Sequence, residues 1–280
     1  MVYRVFKILD KKELAPKIKL LRIFAPEIVN KAKAGQFVII MVDEKGERIP
    51  LTLTEWDTNN GTITIVFLEV GVSTVKIGGL EVGDEIFNLS GPLGNPSNIK
   101  YYGSVAVVCG GVGTAATYPI AKALKEAGNH VIAIIGARTK ELLILEDEMS
   151  SYSNELYVST DDGSKGYKGF VSDVLKMLIE KGQHFDLIYS IGPPLMMRAT
   201  VNVAKSYSLK TIVSLNPIMV DGIGLCGACR VMVDGSNKFA CLDGPEFDGS
   251  LVNFDELILR LRVYQSQEKQ ALSRLETVVS

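Results

Sequence analysis

Ser104-Val-Ala-Val-Val-Cys-Gly-Gly-Val-Gly-Thr-Ala-Ala116 decides how the fold is read. An unbroken apolar run reads as a strand buried on both faces. Gly110, Gly111 and Gly113 make a turn, and Thr117-Tyr-Pro-Ile-Ala-Lys-Ala-Leu-Lys-Glu-Ala-Gly128 reads as a helix with glycine at its stop. Strand, glycine turn and helix together form a place where a dinucleotide pyrophosphate can approach bare backbone and a helix N-terminus. A Cβ would block that approach, although such turns also serve plain strand–helix packing. The match to Gly-x-Gly-x-x-Gly carries Ala116 in the third place.

Downstream the same alternation continues. Strands are expected at His130–Gly136, Glu155–Thr160, Phe185–Ile191 and Lys210–Leu215, and helices at Leu142–Met149, Val171–Lys181 and Pro194–Ser206. Residues 98–215 therefore read as a parallel sheet with helices on both faces. Gly136-Ala-Arg138 ends the second strand where an acid often stands, so Arg138 faces a ribose or phosphate or is merely solvated. Thr160-Asp-Asp-Gly-Ser164 and Gly192-Pro-Pro-Leu-Met-Met197 end the third and fourth strands. Both loops sit where open sheets bind ligands, and both also have ordinary turn chemistry.

Upstream, residues 1–97 read as β. Tyr3–Ile8, Ile18–Phe24, Gln36–Val42 and Gly61–Leu68 are short strands punctuated by Gly, Asn and Pro, which predicts an antiparallel barrel or sandwich. Gly91-Pro-Leu-Gly-Asn-Pro96 marks the boundary. Glu47-Arg48-Ile-Pro50-Leu-Thr52 suits a flavin pyrophosphate or is structural. Glu69-Val-Gly71-Val-Ser73-Thr74 is a phosphate-binding turn or a helix cap.

Past the sheet, Asp221-Gly-Ile-Gly-Leu-Cys-Gly-Ala-Cys-Arg230 is followed by Cys241, with the spacing Cys-x2-Cys-x11-Cys. Cys226 and Cys229 on a glycine-rich turn can face one centre. Three thiolates leave one position open, and Asp221 is the best-placed fourth ligand, for zinc or an iron–sulfur cluster. Residues 216–250 form this segment, and residues 251–280 read as a single helix with an apolar face of Phe254, Leu257, Ile258 and Leu261. That face packs on the chain's own core or meets a partner. Cys109, the fourth cysteine, reads as a small buried residue rather than a redox or nicotinamide-facing group.

The 280 residues are 47% hydrophobic with a formal net charge of −2, so nothing here favours nucleic acid. No apolar run is long enough to span a membrane, no secretory leader is expected, and clustered cysteines fit a reduced, cytoplasmic setting. His130 and His184 sit at element boundaries, which argues against a histidine-based triad or metal site.

Barrel, nucleotide domain and cysteine segment, in that order, resemble the ferredoxin–NADP reductase-like family. The carrying residues are Gly35-Gln-Phe-Val38, Arg48–Thr52, Gly71–Thr74, Cys109–Thr114, Thr160–Ser164, Gly192–Met196 and Cys241–Gly249. Jointly they are similar to the small subunits of electron-bifurcating NADH-dependent ferredoxin:NADP oxidoreductases, to sulfide dehydrogenase subunits, and to the electron-transfer subunit of dihydroorotate dehydrogenase B. The resemblance implies a C-terminal 2Fe–2S segment following an FAD-binding barrel and an NAD-binding α/β domain. It implies FAD at Arg48, Pro50, Leu51, Thr52, Leu68, Gly71, Ser73 and Thr74. It implies NAD(H) at Gly110, Gly111, Gly113, Thr114, Arg138, Asp162, Gly192, Pro193 and Met196, and a 2Fe–2S cluster on Asp221, Cys226, Cys229 and Cys241. Pro50-Leu51 stands where the reductase pattern Arg-x-Tyr-Ser has its aromatic residue. Asp221 matches the bifurcating branch, where the dihydroorotate dehydrogenase branch has cysteine. The implied activity is hydride exchange between NAD(H) and FAD, with single electrons between FAD and the cluster. The implied partner is a larger flavin and 4Fe–4S subunit that binds NADP(H) and connects to ferredoxin. A zinc-stabilised nucleotide-binding module and a plain structural subunit are the readings of another class.

Overall fold

The computed structural model describes residues 6–279, with side chains as far as Leu275. The expected strand Tyr3–Ile8 lies partly outside that range. Its described part opens β1 (Phe6–Ala15), followed by β2 (Ile18–Phe24), helix α1 (Pro26–Val29), β3 (Phe37–Met41), β4 (Ile49–Asp57) and β5 (Thr62–Leu68). Helix α2 (Val72–Gly78), β6 (Glu85–Ile86) and β7 (Asn88–Leu93) complete the first unit. The strand order is β6-β1-β2-β5-β4-β3-β7, and every pairing is antiparallel. β6 and β7 lie at opposite edges, yet only Phe87 separates them along the chain. One continuous segment thus pairs with both edges and closes the sheet into a barrel, which removes the unpaired edges an open sheet would present. Alternate residues, among them Ile8, Leu21, Ile23, Val38, Ile40, Leu53, Ile63 and Ile65, fill its interior.

β4 is a strand for which sequence reading gave no expectation. Pro50 reads as a breaker there, but it sits near the strand start, opposite Ile39 of β3.

The second sheet contains β8 (Ser104–Gly110), β9 (His130–Ala137), β10 (Glu155–Thr160), β11 (Tyr167–Lys168), β12 (Leu187–Ile191) and β13 (Thr211–Ser214). All six run parallel in the order β11-β10-β9-β8-β12-β13. Helices α3 (Gly113–Glu126), α4 (Glu146–Ser151), α5 (Val171–Glu180) and α6 (Pro194–Ser206) cover it. Val105, Val107 and Cys109 of β8 face the α3 side, while Ala106 and Val108 face α5. The sheet is therefore buried on both faces, which is why β8 shows no polar alternation. The winding direction reverses between β8 and β12, the place where such sheets bind ligands.

The helix expected at Leu142–Met149 is instead a 3₁₀ turn, Lys140–Leu142, followed by α4. Leu143-Ile144-Leu145 cannot all lie on one helical face. Ile144 buries against barrel residues, whereas Leu143 and Leu145 reach the core under α3, and Leu145 takes a left-handed φ of 54°.

The cysteine segment forms a hairpin, β14 (Arg230–Val233) and β15 (Ser236–Phe239), and then β16 (Glu246–Asp248), which pairs antiparallel with β13 at the edge of the parallel sheet. Its core joins all parts of the molecule: Phe37 and Ile39 of the barrel meet Met197 and Val201 of α6, Cys229, Cys241, Phe254 and Leu257. The single helix expected over 251–280 is two, α7 (Phe254–Leu261) and α8 (Gln265–Val279). Asn253 caps α7 by accepting the Glu256 N–H at 3.0 Å, and the inward apolar stripe ends at Leu261. Val263 and Tyr264 then lie exposed, and α8 passes beside α2. Among the described residues no helix is long and apolar enough to cross a membrane.

Candidate cofactor site

The glycine turn is shaped by contacts within the protein. A Cβ on Gly113 would fall 2.5 Å from the Ile191 carbonyl, and one on Gly110 would fall 2.7 Å from the Met196 sulfur. Gly192 meets the same methionine, with 2.9 Å to Cε. These glycines let the start of α3 sit directly on the end of β12. Gly111 differs: its φ is +57° and nothing stands within 4 Å of the Cβ position, so its backbone faces open space. That opening at the winding reversal fits a pyrophosphate. Thr114 is buried in the first turn of α3, and Pro193 is exposed at the start of α6.

Cys109 is fully buried, and burial pushes its thiol up to about 11. It is a packing residue beneath the turn. Arg138 and Asp162 come together through backbone, since the Asp162 N–H donates to the Arg138 carbonyl at 3.3 Å. Both side chains are exposed. The Ser164 hydroxyl and N–H, at 2.7 and 2.9 Å, hold the Asp162 carboxyl below its usual range. His184 bonds Asp186 at 3.1 Å, and it and His130 are largely exposed.

On the barrel, Pro50 and Thr52 lie opposite Ile39 and Phe37 and share their outward face, while Leu51 packs toward the interior. Arg48 is exposed just before β4. Gly71 caps α2 in an extended conformation, and nothing stands within 4 Å of its Cβ position. Thr74 Oγ1 accepts the N–H groups of Val70 and Gly71, each at 3.0 Å. Ser73 donates to Glu47 at 3.1 Å, which ties this turn to the Arg48 stretch. Glu47 escaped notice as a site residue, because a surface carboxylate beside an arginine carries no signal in sequence.

In the cysteine segment, Cys229 and Cys241 are buried with their sulfurs 3.2 Å apart. Burial, with the Cys229 sulfur alongside, pushes the Cys241 thiol up to about 12. The raised Cys241 thiol becomes a thiolate only beside a cation, as iron would provide. The Ala228 N–H donates to Cys226 Sγ and the Cys241 N–H to Cys229 Sγ, each at 3.5 Å. The donor set therefore fits an iron–sulfur cluster. Asp221 accepts the N–H groups of Ile223 and Cys226, which hold its carboxyl below the usual range. Cys226 remains exposed, and among the described residues no three ligand side chains close on a metal position.

The three places adjoin. A Cβ on Gly222 would fall 2.7 Å from Ile39 and 2.8 Å from Leu93, so the Asp221 turn presses on the strand that pairs with Pro50. Val112 and Ala115 of the glycine turn share a core with Leu68, Val66 and Ile18 of the barrel. Ile39 and Leu93 as the bridge were missed; the parity of β3 against β4 would have revealed Ile39. A cleft of about 1510 Å³ lies elsewhere, between β4–β5 and the later half of α3. None of the cofactor residues named above lines it.

Comparison with known proteins agrees with this layout. Residues 107–202 match the oxidoreductase NAD-binding domain, and residues 216–253 match the iron-sulfur cluster binding domain of dihydroorotate dehydrogenase B. A dihydroorotate dehydrogenase B electron transfer subunit homolog from Thermotoga maritima is 47% identical, across 96% of this chain and 94% of its own. The chain belongs to the ferredoxin reductase-like family of iron–sulfur electron-transfer subunits. A chain from the structure of an NADH-dependent reduced ferredoxin-NADP oxidoreductase, described for flavin-based electron bifurcation, superposes with a TM-score of 0.92. It is 46% identical and covers 97% of this chain and 98% of that one. The electron transfer subunit of Clostridium perfringens dihydroorotate dehydrogenase B is 33% identical over 80% of this chain and 88% of its own. The electron-transfer subunit is thus part of an oxidoreductase, with FAD, NAD(H) and a 2Fe–2S cluster as the family's cofactors. Relatives of this kind are subunits of larger complexes, which implies a larger partner.

Proposed function

We propose that the chain exchanges a hydride between NAD(H) and FAD and relays single electrons to its 2Fe–2S cluster. It serves the NAD(H) branch of an electron-bifurcating NADH-dependent ferredoxin:NADP oxidoreductase. The observation that carries this reading is the position of Gly222 against Ile39, directly across from Pro50. The flavin stretch and the cluster loop then meet across β3, where Ile39 lies one strand spacing, ~5 Å, from Pro50.

The flavin, when bound, supplies the chemistry that joins two-electron and one-electron steps. The residues position and exclude. Arg48 takes the flavin pyrophosphate, Pro50 and Thr52 present backbone and hydroxyl to the ring edge, and Leu68 packs where the barrel meets the glycine turn. Gly71, Ser73 and Thr74 order the phosphate turn through Glu47 and the two Thr74 hydrogen bonds. Gly110, Gly111, Gly113 and Thr114 receive the NAD(H) pyrophosphate, and Gly192, Pro193 and Met196 wall the switch point. Arg138 and Asp162 lie toward the adenosine end. Asp221, Cys226, Cys229 and Cys241 hold the cluster. Ile223, Leu225 and Leu242, with exposures of 54%, 83% and 57%, frame Cys226 and face the larger flavin and 4Fe–4S subunit, through which ferredoxin is served in the cytoplasm.

Anaerobic NADH added to the natively purified protein tests the reading. The flavin band should bleach, and the paramagnetic signal of a reduced 2Fe–2S cluster should follow. A colourless protein with stoichiometric zinc would overturn it. Co-isolation of a dihydroorotate-oxidising subunit would reassign the complex. Asp221→Cys should change both the cluster potential and its slope between about pH 6 and 9, because a carboxylate ligand is harder and protonates. Identical potentials and slopes would remove Asp221 from the ligand set.

A further inference from the structure

Arg260 lies on α7, outside the four ligands. The helix is anchored by buried Phe254 and Leu257, and Arg260 stands one turn beyond Leu257 at the margin of that face. Its guanidinium donates to the Ala228 carbonyl at 3.2 Å. Ala228 stands between Cys226 and Cys229, and its own N–H donates to Cys226 Sγ at 3.5 Å. The peptide joining Ala228 to Cys229 is planar and trans, so drawing its carbonyl toward Arg260 turns the Cys229 N–H the opposite way. A cationic group is thereby fixed on the loop that carries two ligands.

We propose that Arg260 is a positioning residue for the cluster. It orients the loop between Cys226 and Cys229 and lends a fixed positive charge that favours the reduced cluster. The inference rests on the cluster assignment made above. Reduction adds one negative charge to a centre already held by four anionic ligands, so a nearby cation stabilises the reduced form more than the oxidised one. Arginine suits the place better than lysine, because its rigid fork fixes direction as well as charge.

The test uses the loaded, full-length protein with Arg260→Gln, Arg260→Met and Arg260→Lys. Redox titration followed by electron paramagnetic resonance reads the cluster potential. Iron release to a chelator reads loop positioning. The neutral variants should reduce at least tenfold less favourably, a downward shift of ~59 mV for one electron. Arg260→Lys should keep most of the potential yet release iron several-fold faster than wild type. Unchanged potentials in fully loaded neutral variants would overturn the proposal. If neither neutral variant loads, Arg260→Lys decides: faster iron release upholds the positioning role, and a wild-type rate overturns it. A wild-type protein without 2Fe–2S absorption would instead sink the cluster assignment itself.

Discussion

The turn after β8 and the loop after β13 are both rich in glycine, but glycine serves different ends in them. At the first, Gly110 and Gly113, like Gly192 beside them at the end of β12, are required because other protein atoms occupy the space a Cβ would need. At the second, Gly222, Gly224 and Gly227 have φ values of +74°, +83° and +69°, so backbone handedness is the common requirement. The first is set in a doubly covered sheet and exists before any ligand arrives. The second is an exposed loop, framed by Ile223 and Leu225, whose shape rests on its backbone, on Arg260 and on whatever the sulfurs hold. Nucleotide binding is therefore a property of the packed fold, whereas the cluster site depends on being loaded.

Replacing Cys229 should separate the two most sharply. Cys229→Ala removes one of two touching buried sulfurs, so iron–sulfur absorption should vanish altogether. NADH affinity, measured by calorimetry, should stay within roughly twofold, because Gly110 and Gly113 pack on Met196 and Ile191 and not on the cysteine loop. An equal collapse of NADH binding would show that the glycine turn is not independently formed. Next in size, Gly113→Ala should lower the unfolding free energy by ~3 kcal/mol, since the new methyl meets backbone that cannot yield. Gly111→Ala has open space and only its φ against it, so ~1 kcal/mol is expected. Urea unfolding of both would check this, and a silent Gly113→Ala would break the packing account.

These distinctions explain what could be read from sequence. The barrel and the parallel sheet were legible because period and punctuation report burial: Val105–Cys109 can only be a strand covered on both sides. The identity of the cofactors was legible through the family's motifs. β4 was hidden by Pro50, and α4 was misplaced because Leu143-Ile144-Leu145 serve two cores. β16 was invisible, since three residues at a sheet edge carry no periodic signal and are chosen by the strand they meet. The bridge through Ile39 and the Arg260 contact were hidden for a related reason: both join residues distant in the chain, and neither pair has a local pattern.

The remaining effect concerns the joint between the two regions. Glu246 of β16 accepts the Ser97 hydroxyl at 2.5 Å and lies beside Tyr189, within reach of a Cβ built on Gly35. Barrel, linker, parallel sheet and cysteine segment meet at this carboxyl. Burial raises it from 4.5 to about 7, and the hydroxyls of Ser97 and Tyr189 oppose the rise without cancelling it. Between those values the folded chain keeps a proton that the unfolded chain has released. Its contribution to stability is therefore full below pH 4.5 and is lost as pH rises toward 7. Glu246→Gln keeps a hydrogen-bonding side chain of the same shape and removes the ionisation. Wild type minus variant stability, from urea unfolding, should fall by on the order of 2 kcal/mol across that window, leaving the glutamine protein relatively more stable at pH 8. The loss should localise to the joint, with hydrogen exchange rising at β16 before it rises at β8. Parallel stability curves would mean that the carboxyl ionises without strain, and that the two regions are held together by apolar packing alone.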